Sequence, residues 1–367
     1  MQFQLVLTEN CNLACKYCYI DQNTNYMTRE IFDHHYKMLP KIMEFYNKQT
    51  YKAALFGGEP FLNWDLIEYI IPILKRDPRC KFIIAMTNGL VLKDGYKREY
   101  VQKNGIALSL SFDGLWNKTN RPLKNGNSSL DEYLTEPLKS FFTGKGCCKV
   151  MVAPDSVSTM VDNFIWFVEE YKMPCPDFTL VRDDVWTDAD IELFGVEVVR
   201  LADTIIEYFR QGKSSMVGFF QLYILDLIFG ESYGKRPFGC FAGCSGAGFM
   251  PSGMVYPCAR FGSNKLYPIA DSITGKLLDS NINMIKEPLI VNPRHYEKCK
   301  SCSLYKYCNA GCTFQQLKNS DSFISEPVDS ICKLLHMCYE QSMRITRELK
   351  DNSLFKEMIQ NLIKNVG

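Results

Sequence analysis

Short apolar runs alternate with longer amphipathic segments along the first half of the chain. Residues 2–7 (QFQLVL), 51–56 (YKAALF), 81–87 (KFIIAMT), 106–112 (IALSLSF), 148–153 (CKVMVA) and 177–182 (DFTLVR) read as strands. Residues 27–49, 66–77, 92–105, a segment from about 129, 157–172 and 189–211 carry apolar positions at spacings of three and four and read as helices, the first with Thr28 as its cap. Apolar strands separated by helix-length segments predict a parallel sheet covered by helices. Six such units predict an α/β fold, a partial (β/α)6 TIM-like barrel, whose chemistry sits on the loops leaving the C-terminal strand ends. Cys11, Cys15 and Cys18, then Gly57 to Pro60, Thr87 to Gly89 and Asp113 to Gly114 each follow a strand, so they are expected to converge at one end of the sheet.

After about residue 239 the pattern changes. Elements become short, glycine becomes dense, and nine of the sixteen cysteines lie between 240 and 338. The expected organisation is a barrel with bridging helices over 1–235, a small cysteine-rich α+β domain over 236–340, and a helical tail over 341–367. Residues 213–239 read as a helix and loop lining a channel, with Tyr223, Phe229 and Tyr233 as aromatic contacts, or as core between domains. No internal repeat or low-complexity tract is visible.

Charge and composition narrow the function. A 46% apolar fraction is that of a globular chain, and a formal charge of +1 gives no field to gather polyanions. Neither nucleic acid nor a membrane surface is expected as a partner. The longest apolar run, residues 218–229, is too short to span a bilayer and contains Asp226. No secretory leader is legible, so the expected compartment is cytoplasmic, and there sixteen thiols point to metal rather than disulfides.

Cys11, Cys15 and Cys18 form CxxxCxxC, three thiolates where zinc or a cubane wants four ligands. Spacing alone leaves open a zinc site with a distant fourth ligand, buried cysteines, or a [4Fe-4S] cluster with one iron free. The trio, GGEP at Gly57 to Pro60, TNG at Thr87 to Gly89 and SLSFDG at Ser109 to Gly114 together resemble the radical S-adenosylmethionine (SAM) superfamily. The resemblance, which runs through about the first 185 residues, implies that SAM chelates the free iron and that one electron splits it into methionine and a hydrogen-abstracting 5′-deoxyadenosyl radical. It assigns Gly57, Gly58, Glu59 and Pro60 to the SAM amino group, with Glu59 neutralising the ammonium. Asn88 and Tyr17 join the same site, Ser109 and Ser111 reach ribose or carboxylate, and Arg121 meets the methionyl carboxylate. Ser109 and Ser111 also fit a sheet in which they alternate with apolar residues, and Arg121 also fits a solvated loop.

Downstream, Cys299, Cys302, Cys308 and Cys312 form Cx2Cx5Cx3C, a spacing that demands a metal and by itself accommodates zinc or iron. With Cys240, Cys244, Cys258 and Cys332 it resembles the SPASM domain, in the arrangement of the anaerobic sulfatase-maturating enzymes. That resemblance gives Cys240, Cys244, Cys258 and Cys312 to one auxiliary [4Fe-4S] cluster and Cys299, Cys302, Cys308 and Cys332 to a second, three clusters in all, with electron transfer as the auxiliary role. In those maturases an aspartate follows the YPC cysteine and is proposed to deprotonate the substrate; here the stretch is YPCARF and the position is Ala259. A methyl group takes no proton.

Replacement acids and bases are Asp183 and Asp184, which also read as a solvated turn, together with Arg182, Tyr256, Arg260 and Tyr233. The expected activity is oxidation of a ribosomally made peptide or protein, first a thioether or carbon–carbon cross-link. Formylglycine formation comes next, or epimerisation with Cys338 or Cys175 as hydrogen donor. Expected partners are a precursor peptide or protein substrate and a flavodoxin- or ferredoxin-type electron donor; with ten residues before Cys11, leader capture is expected to be unnecessary, performed by a separate leader-binding protein, or done by a sheet edge in the second domain. A radical enzyme acting on a small molecule and a non-catalytic metal scaffold are the rival classes.

Overall fold

The computed structural model describes residues 1–144, 147–182, 185–229, 242, 245–278, 297–308, 312, 314–315 and 327–364, with Cys147 and Phe229 by backbone alone. Asp183, Asp184, Tyr233, Cys240 and Cys244 lie outside the described residues. Among them the strands are β1 (Gln2–Thr8), β2 (Tyr51–Gly57), β3 (Cys80–Thr87), β4 (Ala107–Ser111), β5 (Cys147–Val152), β6 (Asp177–Leu180), β7 (Gly246–Phe249), β8 (Met254–Tyr256), β9 (Ala270–Asp271) and β10 (Lys276–Leu277). All six expected barrel strands are present, in an α/β fold. Contacts divide the chain into one unit of Met1–Phe112, Asn117–Phe141 and Cys240–Ile290, and a second of Asp113–Trp116, Phe142–Gly239 and Val291–Gly367.

In the first unit β1 to β4 lie side by side in parallel. β7 adds in parallel to the other edge of β1, and β8, β9 and β10 continue antiparallel. The boundary expected at 236 does not anticipate this grouping, because GAGF carries no β-branched residue to mark it as a strand. Phe3, Leu5 and Leu7 of β1 are fully buried, as a strand paired on both sides requires.

The helix Arg29–Phe45 starts where Thr28 Oγ1 accepts from Ile31 N at 3.2 Å. It buries Phe32, Met38, Leu39, Ile42 and Met43 on one stripe. At about 1.5–3 kcal/mol for each buried side chain, this burial outweighs the roughly 3 kcal/mol that Pro40 costs inside the helix. On the same stripe His35 is fully buried, with Nε2 2.8 Å from Met250 O and Nδ1 2.8 Å from Ser272 Oγ. A carbonyl only accepts, so Nε2 carries the proton and Nδ1 accepts from Ser272. This pair of bonds ties the helix to the β7–β9 segment.

Two expected helices are shorter. The segment from 129 breaks into Leu130–Leu134 and Leu138–Phe142, since Pro137 brings no N–H. The helix expected over 92–105 is Gly95–Lys103, started by Asp94, which accepts from Lys97 N.

In the second unit β5 and β6 pair in parallel. Phe178 is surrounded by Trp116, Phe164, Phe167 and Phe219. The helix Asp188–Arg210 opens with a reciprocal cap between Thr187 and Asp190. Asp329–Glu348 runs against it and against Gly218–Phe229. No helix among the described residues is long and apolar enough to cross a membrane.

Candidate functional site

The end of β2 runs against the chain leaving β1, and only glycine permits the approach. Gly57 has φ 144°, and a Cβ there would stand 2.2 Å from Thr8 O; one on Gly58 would stand 2.3 Å from Asn10 O. Gly58 N donates to Thr8 O at 2.9 Å and Glu59 N to Asn10 O at 2.8 Å. The cysteine loop is then stitched to the segment after β4: Ala14 N donates to Pro122 O at 2.8 Å and Lys16 N to Asn120 O at 3.0 Å.

Glu59 is fully buried, and its carboxylate joins the ends of two strands. Oε1 accepts from Phe61 N at 3.0 Å and from Thr87 Oγ1 at 2.7 Å, and Oε2 accepts from Asn88 N at 2.7 Å. Burial pushes this carboxyl up to about 7, against the pull of the three donated bonds. A carboxylate has about four acceptor sites, so one lone pair on Oε2 is left for an ammonium. Asn88 continues the chain of bonds: Nδ2 donates to Asn12 Oδ1 at 2.7 Å and lies 3.9 Å from Cys11 Sγ, while Asn88 O accepts from Tyr133 Oη at 2.7 Å. Pro60, buried, opens the short 3-10 turn Pro60–Leu62.

Cys11 is buried, Cys15 half-buried and Cys18 exposed. Burial raises the Cys11 thiol to about 12; the Leu13 N–H opposes this, and Glu59, Cys15 and Cys18 add to it. A thiol so placed ionises only beside a strong cation, which is what an iron centre supplies. Arg121, also buried, brings Nη1 to 4.0 Å from Cys15 Sγ and lays its guanidinium 5.3 Å over the Tyr17 ring. The structure thus gathers Cys11, Cys15, Tyr17, Glu59, Asn88 and Arg121 in one bonded neighbourhood. Ser109 and Ser111 are half-buried on β4, flanking the buried Leu110.

Cys258 is half-buried beside the short helix Ala259–Ser263. A Cβ on Gly248 would lie 2.5 Å from the Cys258 carbonyl carbon and from Ala259 N, so β7 passes this cysteine backbone only as glycine. Ala259 N donates to Gln4 Oε1 at 3.0 Å, and Arg260 covers the Tyr19 ring at 4.5 Å, next to Cys18. Tyr256 is buried in β8, its hydroxyl pushed up by burial and by Glu9.

In the second unit Cys299, Cys302, Cys308 and Cys312 are half-buried. Cys302 N donates to Cys299 O at 3.1 Å and Cys308 N to Leu304 O at 2.7 Å, folding the segment into a knuckle. Cys332 stands in the first turn of Asp329–Glu348, its thiol raised to about 11 by burial, with Cys308 and Cys299 adding and Lys298 opposing. Among the described residues no three His, Cys, Asp or Glu side chains are close enough to hold a single metal ion. A cubane asks for a wider set, because each thiolate binds its own iron.

Arg182 lines a cavity of about 450 Å³ between β6 and Gly218–Phe229, shared with Cys175, Phe219, Tyr223 and Leu335. Tyr223 is buried, with its ring 5.6 Å from that of Tyr339. Cys338 is fully buried and its thiol is held well up by burial, whereas Cys175 borders the cavity.

Residues 5–135, which include the loop of three cysteines at the end of β1 laced to the ends of β2 and β3, match the model of the Radical SAM superfamily. That match implies SAM and a [4Fe-4S] cluster for this part of the chain. Among relatives it is 23% identical over 328 residues to the radical SAM cyclopropyl synthase TigE of Paramaledivibacter caminithermalis, 84% of this chain and 67% of that one. It is 23% identical over 330 residues to the cysteine-type anaerobic sulfatase-maturating enzyme of Clostridium novyi, 83% of this chain and 85% of that one. The structure of native anSMEcpe with bound AdoMet and Cp18Cys peptide superposes with a TM-score of 0.72 at 17% identity, covering 95% of this chain and 100% of that one, which establishes the shared fold. Sequence reasoning missed Asn12, Tyr133 and the role of Thr87 as the partner of Glu59; Thr87 stands inside TNG, while the other two carry no spacing signal.

Proposed function

We propose that the chain is a radical SAM maturase that oxidises a ribosomally made peptide or protein, most simply by closing a thioether or carbon–carbon cross-link. When bound, SAM and its cluster supply a 5′-deoxyadenosyl radical that takes a hydrogen atom from the substrate. The chain's own part is to hold the thiol loop between the ends of β1, β2 and β4, to keep Glu59 and Asn88 fixed behind it, and to set Arg121 over Tyr17. The observation that carries the peptide reading is the likeness over 95% of the chain to a protein solved with AdoMet and a peptide. TigE, a cyclopropyl synthase by name, favours new bond formation as the outcome. Ala259, whose N–H is tied to Gln4, removes the acid expected for formylglycine formation.

In this reading Cys240, Cys244, Cys258 and Cys312, and Cys299, Cys302, Cys308 and Cys332, would hold two auxiliary clusters, which would supply a place for the electron left after bond closure. A flavodoxin- or ferredoxin-type protein would supply the electron to the first cluster. Ser109 and Ser111 serve SAM, and Arg182 with Asp183, Asp184 and Tyr256 supplies acid–base groups. The test is anaerobic reconstitution with SAM and the peptide encoded beside this gene, followed by mass spectrometry. A loss of two hydrogens is expected. An unchanged mass with deuterium uptake from solvent overturns cross-linking in favour of epimerisation, and SAM cleavage with no change in any peptide overturns the peptide substrate.

A further inference from the structure

A histidine stands against one cysteine of the second thiol knuckle. Cys302 Sγ lies 3.2 Å from Nε2 of His336, one helical turn beyond Cys332 on Asp329–Glu348. Cys332, His336 and Tyr339 follow one another at i, i+4 and i+7 and so share a helix face. Tyr339 stacks on Tyr307 with ring centroids 5.4 Å apart and an interplanar angle of 25°. Because Tyr307 directly precedes Cys308, this ring pair fixes the register of helix and knuckle without help from any metal. The imidazole is held where the Cys302 sulfur has to be.

Four thiolates fill the four irons of a cubane and leave no iron for a fifth donor. Once Cys302 is a thiolate it can only accept, so the shared proton belongs to Nε2. We propose that His336 donates an N–H···S hydrogen bond to the Cys302 thiolate and thereby raises the reduction potential of the cluster held by Cys299, Cys302, Cys308 and Cys332. Drawing charge from a ligand sulfur favours the reduced form, which carries one more electron. His336 is a positioning residue: it touches neither substrate nor SAM. The inference rests on reading those four cysteines as cluster ligands.

The experiment uses the full chain with Cys11→Ala, Cys15→Ala and Cys18→Ala, in which only the C-terminal clusters remain, reconstituted anaerobically with iron and sulfide and titrated by EPR. Adding His336→Phe should keep the iron content and raise the oxidised-to-reduced ratio about tenfold at the original midpoint, a fall of ~59 mV for a one-electron couple. His336→Gln, which keeps an N–H donor, should titrate nearer the unsubstituted protein. Where the variants lose the cluster, the unsubstituted histidine is read by pulsed EPR, and a weak nitrogen coupling to the reduced cluster is expected. An unmoved midpoint in a loaded His336→Phe protein, or the strong nitrogen coupling of direct ligation, overturns this inference alone. A background protein that takes up no iron–sulfur cluster overturns the ligand reading and this inference with it.

Discussion

Replacing Glu59 by glutamine changes one atom at the junction of β2 and β3, and its cost follows from the bonds counted there. With the amide oxygen in place of Oε1, the bonds from Phe61 N and Thr87 Oγ1 survive, while the amide nitrogen faces Asn88 N, a donor. One buried N–H is then left without an acceptor, a loss of about 1–3 kcal/mol. Glu59→Ala strands the partners of all three bonds and should cost roughly 3–9 kcal/mol. The two substitutions also separate in pH. The carboxyl is raised from 4.5 to about 7 in the folded chain, so the stability it contributes is complete below pH 4.5 and lost as pH rises through 7. A difference of about 2.5 between the two states amounts to about 3.4 kcal/mol, of which roughly 2.5 kcal/mol falls between pH 5 and 8. Glutamine has no such dependence. Urea unfolding of both proteins, purified anaerobically, should therefore show a gap that narrows as pH rises. A gap that widens would mean that the three donated bonds outweigh burial and that Glu59 is a stabilising anion, contrary to the reasoning above.

His35 runs the other way. Burial lowers its imidazole from 6.5 to about 4, so its contribution is intact above pH 6.5 and erodes by about 3.4 kcal/mol as pH falls toward 4; His35→Leu should flatten that part of an acid-unfolding curve, and an identical slope in both proteins would count against it. Gly58→Ala puts a methyl 2.3 Å from a backbone oxygen and should abolish soluble expression or incorporation of iron at the first site, whereas Gly95→Ala, whose nearest neighbour is Arg98 Nη2 at 3.7 Å, should incorporate iron normally. Cys11→Ala, Cys15→Ala and Cys18→Ala should each stop formation of 5′-deoxyadenosine from SAM, and chromatography that still detects it would move the cofactor site elsewhere.

The barrel strands were legible because each is an apolar run ended by a turn signal, and the thiol loop because three cysteines stand at fixed spacing. β7 was not, because GAGF becomes a strand only through the edge of β1 that receives it. The stacking of Arg121 on Tyr17 was not legible either, because it depends on a loop closed by bonds to Asn120 and Pro122. Glu59 was expected to face an ammonium; that the fold itself takes three of its acceptor sites was not legible, since no pattern in GGEP discloses which neighbours a buried carboxylate will find. Tyr133 and His336 act across long separations, and a residue type without a period leaves no trace in the sequence.

The pairing of β7 with β1 carries a consequence for biosynthesis. One edge of β1 waits for Gly246–Phe249 before its hydrogen bonds are satisfied, so until that segment is made it stays open to neighbouring chains. Nascent or truncated forms ending upstream of that segment should therefore depend on chaperones.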